Sequence, residues 1–162
     1  MGFTTVTYLD AGDYITNAWV DMVAANLEYL LAPNYDESIY DNTSDYTETD
    51  TSFVDVDATN VSVTLTTYGG HVAVNVIGSA YLTNSANNAV YLDLDVDGSR
   101  IGDSTYGLLK IGSYYSSEIT NCSFSKFVYG LSAASHTIKL QWKLSANAAW
   151  LWRIITIEAV EL

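Results

Sequence analysis

From Ser52 onward, apolar and polar positions alternate with period two in one run after another: "SFVDVDA", "NVSVTLTT", "HVAVNVIGSAYL", "AVYLDLDV", "YGLLKIGSYY", "NCSFSKFVYGL", "HTIKLQWKLS" and "AAWLWRIITIEAVEL". Alternation of this kind sends successive side chains to opposite faces and marks strands with one buried face. The breaks between runs carry turn chemistry: "YGG", the loop "TNSANN", and Asp97-Gly98, a pair suited to a two-residue hairpin. Roughly eight to ten strands, with no helix between them, specify a sandwich or barrel, for which a jelly roll is the economical solution. No internal repeat points to a propeller or solenoid.

Ahead of the strands, "ITNAWVDMVAANLEYLLAP" predicts a helix. Thr16 is placed to cap it, Val20, Val23, Leu27 and Leu30 recur on one face at 3-4-3 spacing, Trp19 and Met22 broaden that stripe, and Pro33 stops it. A helix of about 15 residues is marginal alone, so its stripe needs cover from its own domain, from sister chains or from a larger assembly. Between helix and strands, "NYDESIYDNTSDYTETDTS" is rich in acids, has no base and reads as a linker extended by self-repulsion. Its tyrosines Tyr35, Tyr40 and Tyr46 would lie against a neighbouring chain or pack back on their own domain. The expected fold is mostly β: an antiparallel jelly-roll sandwich (52–162), one α-helix in an N-terminal segment (1–33), and an extended acidic linker (34–51).

Charge sharpens this picture because it is unevenly spread. The chain carries a formal charge of −13, and residues 1–99 hold 15 of its 19 acids and no Lys or Arg. Such a field repels nucleic acid and anionic membranes, so neither is an expected partner. No apolar run is long enough to span a bilayer, and the opening residues lack the basic and apolar regions of a signal peptide, so export by that route is not expected. Cys122 is the single cysteine and sits in an alternating run, the setting of a small buried hydrophobe.

Motifs for catalysis are missing: there is no G-x-S-x-G, no Walker A and no dinucleotide fingerprint. In "DLDVDGSRIGDS", Asp93, Asp95, Asp97 and Gly98 match the first positions of an EF-hand loop, but Ser104 stands where the bidentate Glu belongs. A calcium site on Asp93, Asp95 and Asp97 is therefore the weaker reading, and the solvated face of a strand the stronger. Asp93 and Asp95 as paired carboxylates of a glycosidase would need a cleft that nothing in the sequence signals. His71 and His136 have no second ligand at metal spacing and read as turn or strand residues. No cofactor, no metal and no catalytic residue is expected. Trp142, Trp150 and Trp152 lie in two adjoining strands, where they would be crowded as core alone; they are candidates for core or for an oligomer interface, with a sugar-stacking platform as a third reading.

Two segments resemble a known group. "ITNAWVDMVAANLEYLLAP" is similar to the helix that opens small tailed-phage virion proteins, with its Ile-Thr start and Asn-Leu-x-x-Leu end. "YGLSAASHTIKLQWKLS" followed by "RIITIEAVEL" resembles the closing strands of sandwich modules in phage fibres, spikes and head decorations, with His136, Thr137, Leu140, Gln141 and Trp142 at the motif positions. Ala134 departs from the Gly frequent before the Ser-His pair, and the acidic linker is foreign to the pattern. The resemblance implies a jelly-roll module related to tumour-necrosis-factor-like and C1q-like architectures. It further implies a homotrimer located in the virion, anchored by Trp19, Val20, Val23, Leu27 and Leu30 to other virion proteins of capsid, portal-proximal or tail type. The expected function is structural and non-enzymatic. The alternative is a carbohydrate- or receptor-binding module recognising a host surface glycan.

Overall fold

The computed structural model describes residues 17–31, 34–41, 46–82, 89–112, 118–145, 149–151 and 154–162. They form α1 (Asn17–Leu31) and twelve strands: β1 (Tyr35–Asp41), β2 (Tyr46–Glu48), β3 (Val54–Asp55), β4 (Ser62–Thr66), β5 (Gly70–Leu82), β6 (Ala89–Val96), β7 (Ser99–Arg100), β8 (Leu109–Gly112), β9 (Glu118–Leu131), β10 (Ser135–Leu144), β11 (Ala149–Leu151) and β12 (Ile154–Glu161). In α1 the expected stripe stays only partly covered: Trp19 and Val23 are half-buried, whereas Val20 and Leu27 are exposed. Thr16, Pro33 and the side chain of Leu30 lie outside the described residues.

Two antiparallel sheets make the sandwich. In sheet A, β5 is flanked by β9 on one side and by β12 and β11 in tandem on the other, with β1 and β2 paired beyond them. In sheet B, β10 and β6 form the centre, with β3 and β4 along one edge and β7 and β8 along the other. From β4 to β5, β5 to β6, β8 to β9, β9 to β10 and β10 to β11 the chain changes sheet, the winding of a jelly roll.

The stretch expected as an open acidic linker is a correction to the sequence reading. Its residues 35–41 pair with β12 along their whole length, from Tyr35↔Val160 to Asp41↔Ile154, and 46–48 pair with β11. An edge strand needs only one inward row of side chains, and Tyr40 and Tyr46 supply it, their rings 4.4 Å apart against the core. The acids on the other parity, Glu37 and Asp41, stay in water. Tyr46 donates its hydroxyl to Asp57 (2.6 Å), which also accepts the amides of Thr59 and Asn60; these bonds hold the Asp57 carboxyl well below its usual range. Asp36 bridges the sheets at this edge by accepting the Thr64 amide (2.6 Å), so the carboxylate covers a strand edge that would otherwise stand open.

The core lies between the sheets and is built from the parity the alternation predicts. Val72, Val74 and Val76 of β5 and Ile155, Ile157 and Ala159 of β12 face Val90, Leu92 and Leu94 of β6 and Ile138, Leu140, Trp142 and Leu144 of β10, all essentially sealed. Cys122 is buried as expected, and burial pushes its thiol up to about 11. Trp142 is the largest fully buried side chain among the described residues, so for this residue core replaces interface. Trp142→Ala should lower unfolding free energy by about 3–5 kcal/mol, read as a reduced urea midpoint with little change in slope.

Candidate functional site: the two outer faces of the sandwich

Strand β6 is buried on both sides, which the sequence reading did not anticipate for its aspartates. Asp93 is 0% and Asp95 5% exposed, where a solvated strand face was expected. The reason is the segment 101–108, which folds back over the outer face of sheet B. Ile101 and Leu108 donate their amides to the Leu94 and Leu92 carbonyls (3.1 and 2.8 Å). Gly107 sits at φ +64 so close to β6 that a Cβ there would strike the Leu92 carbonyl, and one on Gly102 would strike the Asp93 carboxylate.

Beneath this flap Asp93 meets four donors: the Arg100 guanidinium through Nε (2.7 Å) and Nη2 (2.6 Å), and the amides of Leu94 (2.8 Å) and Gly102 (2.9 Å). A buried carboxylate needs this degree of satisfaction. Arg100 in turn stacks on Phe53, 3.6 Å from the ring centroid, and donates to the Asp103 carbonyl. Asp95 accepts the Gly98 amide, and Asp97 accepts Thr137 N and faces His136. The three carboxylates of the calcium reading are thus directed to separate protein donors, and among the described residues no three metal-ligating side chains converge.

His136, the second residue of β10, lies on the core parity. Its Nδ1 is 2.6 Å from Asp97 Oδ2, and its Nε2 is 3.0 Å from the Ser132 carbonyl. Two acceptors around one imidazole favour the doubly protonated ring, so the Asp97 carboxylate first and the carbonyl second raise its pKa, while Asp97 is lowered. The pair ties the Asp97-Gly98 hairpin, with φ values of 53 and 84, to the β9–β10 turn. His71 is exposed and packs edge-on against Tyr129.

The outer face of sheet B also collects four of the chain's six bases, Arg100, Lys110, Lys139 and Lys143. Arg100 and Lys139 have carboxylate partners, Asp93 and Asp55. Lys110 and Lys143 have none among the described residues; Lys110 lies 5.8 Å from the Tyr91 ring, and Lys143 sits between the rings of Tyr91 (5.3 Å) and Phe53 (4.8 Å). The sequence search missed this cluster because it exists only through strand register, Lys110↔Tyr91↔Lys143 across β8, β6 and β10.

Sheet A presents a different outer face. Register aligns Tyr35, Val160, Ala73 and Phe127 in one row and Ile39, Thr156, Ile77 and Ser123 in another. Between them runs a polar row in which Asn75 donates to Glu158 (2.6 Å) and accepts from Ser125. Tyr35, Ile39, Ile77 and Phe127 keep 48–59% of their surface exposed, and Tyr129 stands beside them. Off-parity apolar residues were the available signal: Ile77 follows the inward Val72, Val74 and Val76, and Phe127 and Tyr129 bracket the inward Val128. Trp150 is level with Thr47 and Tyr81 in the β2–β11–β5 register, and Trp152 lies outside the described residues.

No family model matches the chain, and no curated protein matches it. Solved structures do. The Eiger TNF of S. frugiperda superposes with a TM-score of 0.50 over 81% of this chain and 94% of its own, at 16% identity. The sugar-binding C-terminal domain of EclA covers 95% of this chain and 89% of its own at a TM-score of 0.38 and 13% identity. A chain of infectious bursal disease virus, Gx strain, covers 80% and 36% at a TM-score of 0.38 and 8% identity. The first likeness establishes a TNF-like jelly-roll fold and speaks for the fold alone; the other two superpose too loosely to carry an argument.

Two outcomes follow from this geometry. Asp93→Ala leaves the Arg100 guanidinium without its carboxylate under the flap and should cost about 3–5 kcal/mol in urea unfolding. For His136 the stabilisation is full below the unfolded value of 6.5 and fades as pH rises through the raised folded value, while that of Asp97 is full above 3.8 and fades as pH falls through its lowered one. Melting temperatures of the wild type should therefore fall relative to His136→Gln as pH is raised from about 6 to about 9; parallel curves would refute the clamp.

Proposed function

We propose that this protein is a non-enzymatic structural protein of a virion, a homotrimeric fibre, spike or decoration module of tailed-phage type held to head or tail through its N-terminal region. The observation that carries the reading is the outer face of sheet A. Tyr35 and Phe127 on one side of its polar Glu158–Asn75–Ser125 row and Ile39 and Ile77 on the other stand about half exposed, with no base in any of the three rows. Large apolar side chains left exposed together on one face mark an interaction site on a soluble domain. A second copy offers the same side chains, and symmetric closure of copies needs no other component.

The resemblance of the helix and of the His136–Trp142 strand to phage virion modules supports the trimer and the location. In the fold, that strand is the centre of sheet B, with Leu140 and Trp142 in the core and Gln141 donating to Asp55. The half-uncovered stripe of α1 supports attachment through that segment. The charge of −13 argues against nucleic acid as partner, and among the described residues no helix is long and apolar enough to cross a membrane.

Native mass spectrometry should return a trimer, and Ile77→Glu combined with Phe127→Glu should give folded monomers with near-UV dichroism retained. A wild-type monomer at micromolar concentration would remove the basis of the reading. Deleting residues 1–33 should leave the trimer intact and abolish its incorporation into particles; undiminished incorporation would overturn the anchor.

A further inference from the structure

We infer that the Lys110–Tyr91–Lys143 row on the outer face of sheet B is a binding site for a carboxylate-bearing glycan. The inference goes beyond the assembly reading, since it uses the opposite face and requires no oligomer.

Three observations converge there. First, the two lysines are the bases of sheet B that form no ion pair among the described residues, although the chain holds 19 acids. Second, they are fixed in spacing: both lie opposite Tyr91, one strand away on each side, so their backbones stand roughly 10 Å apart. The Tyr91 ring between them is nine-tenths buried and cannot swing out. Third, an exposed aromatic plane adjoins the pair. Tyr106 projects from the 101–108 flap, 5.8 Å from Tyr91, and the Asp103 carboxylate accepting the amides of Thr105 and Tyr106 stiffens the tip that carries it.

Each part matches a feature of an acidic sugar. An ammonium donates charge-assisted hydrogen bonds to a carboxylate. An exposed phenol ring offers its flat face to the apolar side of a pyranose, and its hydroxyl remains free to bond sugar oxygens. Two lysines whose backbones are held one strand to either side of Tyr91 can each reach a carboxylate of the same short oligosaccharide. An acidic peptide would use the charges and leave the ring without purpose. Asp93 and Asp95 stand one and two rows further along the same face and are spent on Arg100 and on the Gly98 amide, so they do not compete for the lysines. Asp103 is the acid at the rim, close enough to Lys143 to be influenced by it, and it would turn a ligand's carboxylates toward the Tyr91 side. The net charge of −13 that disfavours a long polyanion such as nucleic acid is screened beyond about 8–10 Å, so the row suits a short glycan that carries one or two carboxylates.

The test is binding of the full chain to a panel of uronate- and sialate-bearing oligosaccharides, each paired with its methyl ester, with poly-glutamate as the acidic-peptide arm. Expected is binding to one or more carboxylated sugars, loss in the esters, weakening with salt, and a drop of about tenfold or more for each of Lys110→Gln and Lys143→Gln. Lys126→Gln, on β9 of the other sheet, should bind as wild type, and Tyr106→Ala should weaken binding with its melting temperature unchanged. The inference is overturned if no carboxylated sugar binds, if esters bind equally, if the double lysine variant retains affinity, or if poly-glutamate binds as tightly as the best sugar.

Discussion

The structure depends on the double burial of β6. One parity, Val90, Leu92, Leu94 and Val96, enters the core as in any sandwich strand. The other parity carries Tyr91, Asp93 and Asp95, and covering it takes a flap, an arginine and an aromatic wedge. Removing a carboxylate from water costs several kcal/mol unless its lone pairs are met, so Asp93 dictates where Arg100 and the Gly102 amide must be. Their placement holds the 101–108 segment flat, and with it the arrangement of rings and ammonium groups on that side.

Most of the sheet framework was legible from the sequence, because period-two alternation is a direct imprint of one buried face. The runs from "NVSVTLTT" to "HTIKLQWKLS" became strands with the inward parity the valines and leucines indicated, and Asp97-Gly98 became the hairpin. Residues 35–41 escaped because an outermost strand is selected by backbone pairing; acids at Asp36, Glu37 and Asp41 weigh against a strand only when both faces are dry. The aspartates of β6 were misjudged for the converse reason. Nothing in "DLDVDGSR" tells that a loop ten residues on will return to cover them.

The two outer faces were less legible because each is a property of register. Ile39 and Ile77 are far apart in sequence and share a row through Thr156; Lys110 and Lys143 share one through Tyr91. Parity alone exposes single residues such as Ile77, and only pairing assembles them into a surface. The result is a two-sided slab, with exposed apolar side chains about a polar row on one side and interlocked bases, acids and rings on the other.

The pairing of β1 with β12 has a kinetic consequence. Asn34 and Glu161, which close that ladder with a side-chain hydrogen bond of 2.7 Å, are 127 residues apart, and sheet A cannot acquire its outer ribbon until the intervening chain is in place. Closing so long a loop carries a large entropic cost before any contact offsets it, and sandwiches dominated by such distant pairings fold on the scale of milliseconds to seconds. A ribosome will therefore release most of this chain before its acidic leading strand has a place to dock, and that strand's charge keeps it dissolved in the interval.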